Sequence, residues 1–351
     1  MPRLPPALSV VVPVRDGAAY LADALPVLRA AIGEDTELIV CDDGSRDGSG
    51  QVAVGFGALV LRHDRSAGPA AARNHGARAA RGDVLVFLDA DVRVHPDTIA
   101  RLRRALDDPA IAAAFGSYDG SPPARSWPSL YKNLAHHFVH QRSSREAATF
   151  WAGCGAVRRD VFLAAGGFDP RYARPSIEDV ELGYRLRAAG HRIRLVPDAQ
   201  VTHLKRWTLA GWLAADLRDR AVPWARLVRS GRRLPRDLNF TAADRAATAL
   251  VGLGLALGAA SAWRTSLLAP AIACLGASLM LDRAFLGFAA RAESPAFAAA
   301  AAGMHVLHRA AGLAGFAWGY LTPRRPLPRL DVPESEEPVL ARSEPRLETH
   351  E

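Results

Sequence analysis

The stretch VLVFLDAD, residues 84–91, decides the fold. A run of five apolar residues ends abruptly in two carboxylates, Asp89 and Asp91, which lie one residue apart. A continuous apolar run of this kind predicts a strand buried on both faces, as in a parallel sheet. The carboxylates then fall at its carboxyl end, where open α/β sheets bind ligands, and two hard oxygen donors there suit Mg²⁺ or Mn²⁺. An Asp-rich turn that caps the next helix would give the same pattern.

Strand-like and helix-like segments alternate on both sides of this stretch. The predicted strands lie at 8–14, 37–41, 58–61, 84–88, 110–118, 151–157 and 192–196. The predicted helices lie at 17–32, 68–80, 97–106, 131–141, 159–165 and 178–189. This alternation predicts an α/β fold, with a mostly parallel, Rossmann-like sheet and helices on both faces.

Composition limits the kinds of partner. The net charge is +8, and arginine carries almost all of the positive charge, since Lys132 and Lys205 are the only lysines. A basic chain suits nucleic acid, an anionic membrane or phosphorylated substrates, but no arginine and aromatic array resembles a nucleic-acid module, so we expect no nucleic acid partner. Cys41, Cys154 and Cys274 are odd in number, far apart and without metal-ligand spacing, which indicates a reducing compartment at least for the first two.

The composition changes after residue 205. Residues 206–243 place Trp207, Trp212 and Trp224 among many arginines, which is typical of a basic amphipathic helix lying in a membrane interface. An ordinary surface helix is the alternative. Residues 244–321 contain apolar stretches at 246–262, 267–281 and 296–321, of which the third is long enough to span a bilayer, the first is near the lower limit and the second is below it. An alanine-rich soluble helical subdomain remains the alternative.

The two ends of the chain carry further expectations. Residues 1–6 contain prolines where a signal peptide needs an unbroken apolar helix, so we expect the front of the protein to stay in the cytoplasm. Residues 322–351 are rich in proline and charge, which predicts a disordered tail. The predicted organisation is therefore 1–205, 206–243, 244–321 and 322–351.

Five short motifs carry a resemblance to a known family. They are VVPV at 11–14, DDGSRDG at 42–48, GPAAARNHG at 68–76, DAD at 89–91 and ED at 178–179. In order, spacing and placement at strand ends, residues 8–205 resemble family-2 glycosyltransferases of the GT-A fold, of the membrane-associated bacterial type. The resemblance implies an inverting, metal-dependent enzyme that moves one sugar from a nucleotide-diphosphate sugar, with UDP favoured. The acceptor would be a hydroxyl of a lipid-linked or saccharide molecule, for cell-envelope glycan synthesis at the cytoplasmic face of the inner membrane.

The resemblance also implies a donor site. Asp42 and Asp43 would hold the base and the ribose, although an Asx-turn would use the same residues. Arg73 would pair with the diphosphate, or lie on an exposed helix surface. The residues assigned to the donor nucleotide are Pro13, Val14, Arg15, Asp42, Asp43, Arg73 and Asp89.

Metal and acceptor positions follow from the same resemblance. Asp91 would be the direct metal ligand, and His203 would complete the metal site or be merely structural. Asp179 would be the general base, which takes the proton of the acceptor hydroxyl, and Glu178 would raise its proton affinity. Plain helix-start carboxylates would give the same pair. The acceptor-side residues are Trp151, Gly153, Cys154 and Glu178, where Trp151 is either a sugar-stacking ring or a core residue.

Two other functions remain open at this point. The first is a metal-dependent nucleotidyltransferase, although such enzymes usually open with a glycine-rich phosphate loop, which residues 13–17 are not. The second is a membrane adaptor without enzymatic activity. The Gln-x-x-Arg-Trp motif of processive polysaccharide synthases does not follow Asp179, which favours transfer of one sugar at a time.

Overall fold

The computed structural model describes residues 7–33, 35–229, 238 and 241–322. The expectations for residues 1–6 and for the tail beyond residue 322 lie outside the described residues. The same holds for much of the 230–240 part of the predicted interfacial segment.

One mixed sheet of nine strands organises the first two hundred residues. The strands are β1 (Leu8–Val14), β2 (Thr36–Asp42), β3 (Leu59–Arg62), β4 (Val84–Leu88), β5 (Val92–Val94), β6 (Ile111–Tyr118), β7 (Glu146–Ala147), β8 (Cys154–Arg158) and β9 (Arg192–His203). Their order across the sheet is β3-β2-β1-β4-β8-β6-β9-β5, and β7 also pairs with β9. The first four strands of this order pair in parallel, as predicted, whereas β8, β5 and β7 pair antiparallel with their neighbours.

Helices cover both faces of the sheet, which confirms the predicted fold class. They are α1 (Ala18–Ala31), α2 (Ser49–Gly55), α3 (Pro69–Ala79), α4 (Thr98–Ala105), α5 (Trp127–Arg142), α6 (Arg159–Ala164) and α7 (Glu178–Ala188). Two apolar cores result, one on each side. One packs α1 and α4 on the sheet, and the other packs α3, α6 and α7 on the opposite face.

The last strand is longer than the sequence indicates. The predicted strand ends at 196, because Pro197 has no N–H for the ladder. In the structure β9 continues to His203, and its pairing with β6 shifts register between Phe115 and Ser117. This irregularity lets the ladder pass the proline and resume at Gln200. It carries His203 to the edge where β1, β2 and β4 end.

The C-terminal part is helical. Its helices are α8 (Leu209–Ala214), α9 (Val222–Arg229), α10 (Ala242–Ala260), α11 (Leu268–Leu281), α12 (Arg283–Ala292) and α13 (Pro295–Leu321), with a π-helical stretch at Ala215–Ala221 between α8 and α9. A third apolar core joins these helices to the sheet domain through Tyr131 of α5, Trp212 and Phe285. Glycines of α13 allow this helix to pack closely against the π-helical stretch, since a Cβ at Gly315 would lie 2.4 Å from the Leu217 carbonyl oxygen.

Membrane-spanning capacity differs from the expectation for α13. Of the described helices, α10 alone is long and apolar enough to cross a membrane, and α11 with α12 becomes a second candidate if this pair, bent by 65°, is counted as one broken span. The stretch 296–321, expected to be long enough to span a bilayer, lies in α13, which is not among these candidates and which carries His305, His308 and Arg309. Arg309 is buried against Asp282 within the protein.

Candidate active site

The carboxyl ends of β1, β2, β4, β6 and β9 meet at one edge of the sheet, together with the start of β8. Asp89 and Asp91 lie in the short turn between β4 and β5 at this edge. The Asp89 amide donates to the Gly153 carbonyl at 3.2 Å, and the Leu204 amide donates to the Asp91 carbonyl at 2.8 Å. The turn is therefore fixed on both sides, and its two side chains have a defined direction.

Asp91, His203 and Lys205 come together at the end of β9. The Asp91 Oδ2 lies 3.8 Å from the His203 Nε2 and 3.9 Å from the Lys205 Nζ. The buried His203 ring stacks on Tyr118, with the ring centroids 4.3 Å apart. Burial, and then the charge of Lys205, lowers the pKa of His203 to about 3, so its imidazole is neutral at pH 7. Burial, and then the charge of Asp89, raises the pKa of Asp91 to about 6.

The donor atoms at Asp91 and His203 fit a divalent metal ion. They offer a carboxylate oxygen and a neutral imidazole nitrogen on the same side of the turn. Carboxylates suit Mg²⁺ and Mn²⁺, imidazole binds transition metals, and a metal held this way takes its other ligands from water and substrate phosphates. Within the described ranges, no three Asp, Glu, His or Cys side chains form a group that could hold a metal ion.

Arg73 lies at the same edge of the sheet and contacts two of its carboxylates. Its side chain is buried, and it donates from Nη2 to Asp89 Oδ1 at 2.5 Å and from Nη1 to Glu178 Oε1 at 2.9 Å. Burial lowers the pKa of Arg73, but the charges of Asp89 and Glu178 outweigh this effect and raise it. Arg73 is thus a buried bridge between two carboxylates and not an exposed residue of the helix surface. Its contact with the diphosphate stays a prediction.

Asp179 lies in the first turn of α7, next to Glu178. Its Oδ2 accepts the Ala152 amide at 3.1 Å, and its Oδ1 accepts the Val180 amide at 2.8 Å. Burial, and then the charge of Glu178, raises the pKa of Asp179 to about 7. Glu178 itself is buried and accepts from Arg73 and from the Ser176 amide. The structure therefore links Asp179 to Asp89 through Glu178 and Arg73.

Asp42 and Asp43 are engaged by the protein itself. The fully buried carboxylate of Asp42 accepts the Ser45 amide at 2.8 Å and pairs with Arg62. Asp42 therefore caps the turn that follows β2, and its contact with the nucleotide stays a prediction.

The carboxylate of Asp43 accepts four hydrogen bonds, from the side chains of His63 and Ser66 and from the amides of Ala67 and Gly68. Burial raises the pKa of Asp43, but these donors outweigh it and lower the pKa to about 2. Asp43 therefore fixes the loop that leads into α3. Both aspartates lie at the predicted edge, but their oxygens already have partners.

The end of β1 contributes one exposed group. Pro13 and Val14 are buried, whereas Arg15 is exposed and donates to the Ser66 hydroxyl at 2.9 Å. The Asp43 amide donates to the Val14 carbonyl at 2.8 Å, which joins the ends of β1 and β2. Of these three residues, which were assigned to the donor nucleotide, only Arg15 presents its side chain to solvent.

The residues predicted for the acceptor side differ in their exposure in the structure. Trp151 is half-buried and packs edge-on to Tyr118 at 4.9 Å. Gly153 is required there, because a Cβ would lie 2.6 Å from the Trp151 ring. Cys154 is fully buried and opposite Leu88 in the sheet, and burial raises the pKa of its thiol well above the usual range. Cys154 is therefore a core residue and does not face the site.

Sequence reasoning overlooked two residues of this site. Lys205 approaches Asp91, and Tyr118 forms an aromatic layer between Trp151 and His203. The position of Lys205, two residues beyond His203 in a chain with only one other lysine, was the available signal. Tyr118 gave no signal beyond its place at the end of a predicted strand.

Comparison with known proteins identifies the family of the sheet domain. Residues 9–164 match the family described as glycosyl transferase family 2. A pre-mycofactocin glycosyltransferase of Mycobacterium tuberculosis is 33% identical over 220 residues, which cover 59% of this chain and 44% of that protein. An N-acetylglucosaminyl-diphospho-decaprenol L-rhamnosyltransferase of the same species is 29% identical over 236 residues, which cover 56% of this chain and 76% of that protein. The chain thus spans less than half the length of the first of these relatives.

A solved structure supports the same assignment at the level of the fold. A mannosyltransferase from Pyrobaculum calidifontis, in complex with GDP-Man and Mn²⁺, superposes with a TM-score of 0.56 at 19% identity, covering 91% of this chain and 88% of that one. None of these three comparisons points to a nucleotidyltransferase or to an adaptor without enzymatic activity. Residues 9–164 of this chain thus match glycosyl transferase family 2.

Proposed function

We propose that this protein is an inverting, metal-dependent glycosyltransferase that moves one sugar from a nucleotide-diphosphate sugar to an acceptor hydroxyl. The observation that carries the proposal is the linked set of carboxylates at the strand ends. Asp179 and Glu178 at the start of α7 connect through Arg73 to Asp89, two residues from Asp91. A base and a metal-binding carboxylate held in one rigid arrangement are what such a transfer needs.

Asp179 is assigned as the general base. Its raised pKa, about 7, matches the pH at which a base must accept a proton during reaction. As the acceptor oxygen bonds to the anomeric carbon, its proton passes to the Asp179 carboxylate. The bond from the anomeric carbon to the diphosphate oxygen breaks, and the nucleotide diphosphate leaves with the electron pair. Attack from the face opposite the leaving group inverts the anomeric configuration.

Asp91 and His203 are assigned as the metal-holding residues, with Asp89 beside them. Asp89, Asp91, Glu178 and Asp179 bring four carboxylates to this edge, and Arg73 and Lys205 are the cations that contact them. The excess of negative charge favours a divalent cation, Mg²⁺ or Mn²⁺, which when bound would neutralise the charge that develops on the leaving diphosphate. The mannosyltransferase with the matching fold was solved with GDP-Man and Mn²⁺.

The donor and acceptor are proposed by class. A nucleotide-diphosphate sugar, with UDP favoured, fits a family-2 domain, and exposed Arg15 is the remaining candidate of the β1 end for the nucleotide. A lipid-linked or saccharide acceptor is supported by the rhamnosyltransferase relative, whose name specifies a diphospho-decaprenol substrate. Trp151 offers a partly open ring near the site for a sugar.

A membrane location is proposed from the surface of the C-terminal helices. Large apolar side chains are exposed on α10, α11, α13 and the turn after α10, among them Leu253, Trp263, Ile272, Met280 and Trp318. Exposed apolar surface of this extent marks a membrane or protein contact, and α10 is long enough to span a bilayer. We place the catalytic domain at the cytoplasmic face of the bacterial inner membrane, where nucleotide sugars are made.

The test is a screen of nucleotide-diphosphate sugars for binding and turnover, with and without Mn²⁺. We expect one donor to bind with metal dependence, and Asp91→Ala to lose that dependence and transfer by at least about 100-fold while the protein remains folded. Asp97→Ala serves as a control, because Asp97 lies nearby in sequence, is exposed and, among the described residues, forms its ion pair with Arg101 of the helix that it precedes. Metal-dependent turnover that survives in Asp91→Ala would refute the metal assignment.

A further inference from the structure

A groove between α5 and α12 lies outside the candidate active site. Its volume is about 310 Å³, and its walls carry three arginines, Arg142 from α5 and Arg283 and Arg291 from α12. The rest of the polar and aromatic lining is His137, Phe138, Gln141 and Phe288. No acidic side chain lines it, so the groove is strongly basic.

The three guanidinium groups are available for a ligand. All three residues are exposed, and within the described part of the chain none has a carboxylate within 4.0 Å. Arg142 lies over the Phe138 ring at 5.2 Å, and Arg283 donates to the Met280 carbonyl at 3.2 Å. Neither contact neutralises a guanidinium, so the arginines that line the groove keep their charge.

The floor of the groove consists of packed aromatic rings. Phe288 stacks on His137 with centroids 5.9 Å apart and packs on Phe138 at 5.4 Å. His137 Nδ1 bonds the Tyr118 carbonyl at 2.8 Å, and Tyr118 stacks on His203. The groove is therefore built on the residues that support the Asp91 and His203 pair, from the other side of Tyr118.

The surroundings indicate which anion would reach the groove. α12 follows α11 after a bend of 65°, and α11 exposes the apolar side chains of Ile272 and Met280. If the apolar face of α11 meets the bilayer, the bend brings the arginines of α12 to the level of the lipid headgroups. We propose that this groove binds the phosphate of an anionic membrane lipid, with Arg142, Arg283 and Arg291 as its ligands.

The test uses the full-length protein in neutral detergent, with its Tm followed as lipid is added. Phosphatidylglycerol is expected to raise the Tm saturably and phosphatidylcholine is not. Arg283→Gln with Arg291→Gln is expected to weaken the apparent phosphatidylglycerol affinity about 30-fold, and Arg142→Gln about 5-fold. The control is Arg103→Gln with Arg104→Gln, which removes two exposed arginines from α4 and is expected to keep the wild-type response.

Several outcomes would overturn the proposal. They are an equal response to phosphatidylcholine, an unchanged response in Arg283→Gln with Arg291→Gln, or an equal loss in the α4 control. A separate arm adds sodium phosphate without lipid at matched ionic strength, and a shift of the same size that depends on Arg283 and Arg291 would assign the groove to free phosphate instead. If the α12 double variant fails to fold, the apparent phosphatidylglycerol affinity of Arg142→Gln, on the opposite wall, tests the proposal in its place. Donor binding is measured in parallel and is expected to be unchanged, so this test is independent of the proposed transferase activity.

Discussion

Asp179 is held by two backbone amides, those of Ala152 and Val180. We expect Asp179→Asn to preserve much of this packing while removing the group that accepts a proton. Turnover should therefore fall by about 10²- to 10⁴-fold, with donor affinity nearly unchanged. The measurements are nucleotide-diphosphate release under saturating donor and a binding titration with the same donor.

Asp160→Asn provides the matched control for this change. Asp160 lies in the first turn of α6, and its Oδ1 accepts the Val161 amide at 2.8 Å, the same local bond that Asp179 makes to Val180. It is exposed and remote from the carboxylate set, so wild-type turnover is expected. Normal turnover in Asp179→Asn, or an equal loss in Asp160→Asn, would remove Asp179 as the base.

The pH dependence of turnover reports on the same residue. Burial, and then the charge of Glu178, raises the pKa of Asp179 to about 7. A general base acts in its deprotonated form, so turnover should fall as the pH decreases below about 7 and level off above it. Glu178→Gln removes one negative charge, which lowers the pKa of Asp179, so its midpoint should move to lower pH. A profile that stays in place or moves upward in this variant would contradict the assignment.

Arg73 joins three elements, since it lies on α3 and pairs with the β4–β5 turn and with α7. Arg73→Met leaves the buried Glu178 without its cation, and removing one partner of a buried pair typically costs about 3–5 kcal/mol. We expect a loss of this size in the free energy of unfolding, measured by denaturant titration. Arg78→Met on the same helix is the control, because Arg78 is exposed and should change stability by less than about 0.5 kcal/mol. Equal stability of the two variants would mean that the bridge is not a structural element.

The strands and helices were predictable because each depends on local pattern. Apolar runs such as 84–88 became strands, and the pair at 178–179 fell at a helix start as expected. The partners of buried polar groups were not predictable in this way. Arg62 lies 20 residues from Asp42, and Glu178 lies 105 residues from Arg73, so no local pattern reveals that these charges neutralise one another.

The donor site illustrates this difference. Asp42, Asp43 and Arg73 were interpreted as ligand contacts from their motifs, and the structure adds protein partners for each of them, while the nucleotide contacts stay predictions. In contrast, the proximity of His203 to Asp91 depends on β9 passing Pro197 by a register shift, which the sequence did not indicate. Residue type predicted the edge of the sheet, and tertiary packing decided which side chains remain available there.

At the scale of the whole molecule, Asp216 connects the catalytic domain to the C-terminal helices. This buried carboxylate lies in the π-helical stretch 215–221 and accepts from Lys132 of α5 at 3.0 Å, from Arg220 at 2.9 Å and from His308 of α13 at 2.7 Å. Trp212 donates to it as well. Burial raises the pKa of Asp216, but the hydrogen bond from His308 and the charge of Lys132 outweigh it and hold the pKa well below its usual range. Asp216 is therefore charged, buried and shared by three parts of the chain.

The same stretch reaches the loop before the general base, because the Ser176 hydroxyl donates to the Asp219 carbonyl at 2.5 Å. We expect Asp216→Ala to leave Lys132 buried without a partner and to loosen both α13 and this loop. Stability should fall by about 3–5 kcal/mol, and hydrogen exchange should speed up in α13 and in residues 172–178 together.

Asp219→Ala tests the alternative that any carboxylate of the stretch has this effect. The Asp219 side chain pairs with Arg174 and Arg218, both exposed, while its carbonyl bond to Ser176 remains in the variant. We expect a change below about 1 kcal/mol and unaltered exchange in α13. If Asp216→Ala speeds exchange in α13 but leaves residues 172–178 protected, the C-terminal helices are anchored by Asp216 without being coupled to the active-site loop. Faster exchange in both segments would mean that contacts made by α13 can alter the position of Asp179.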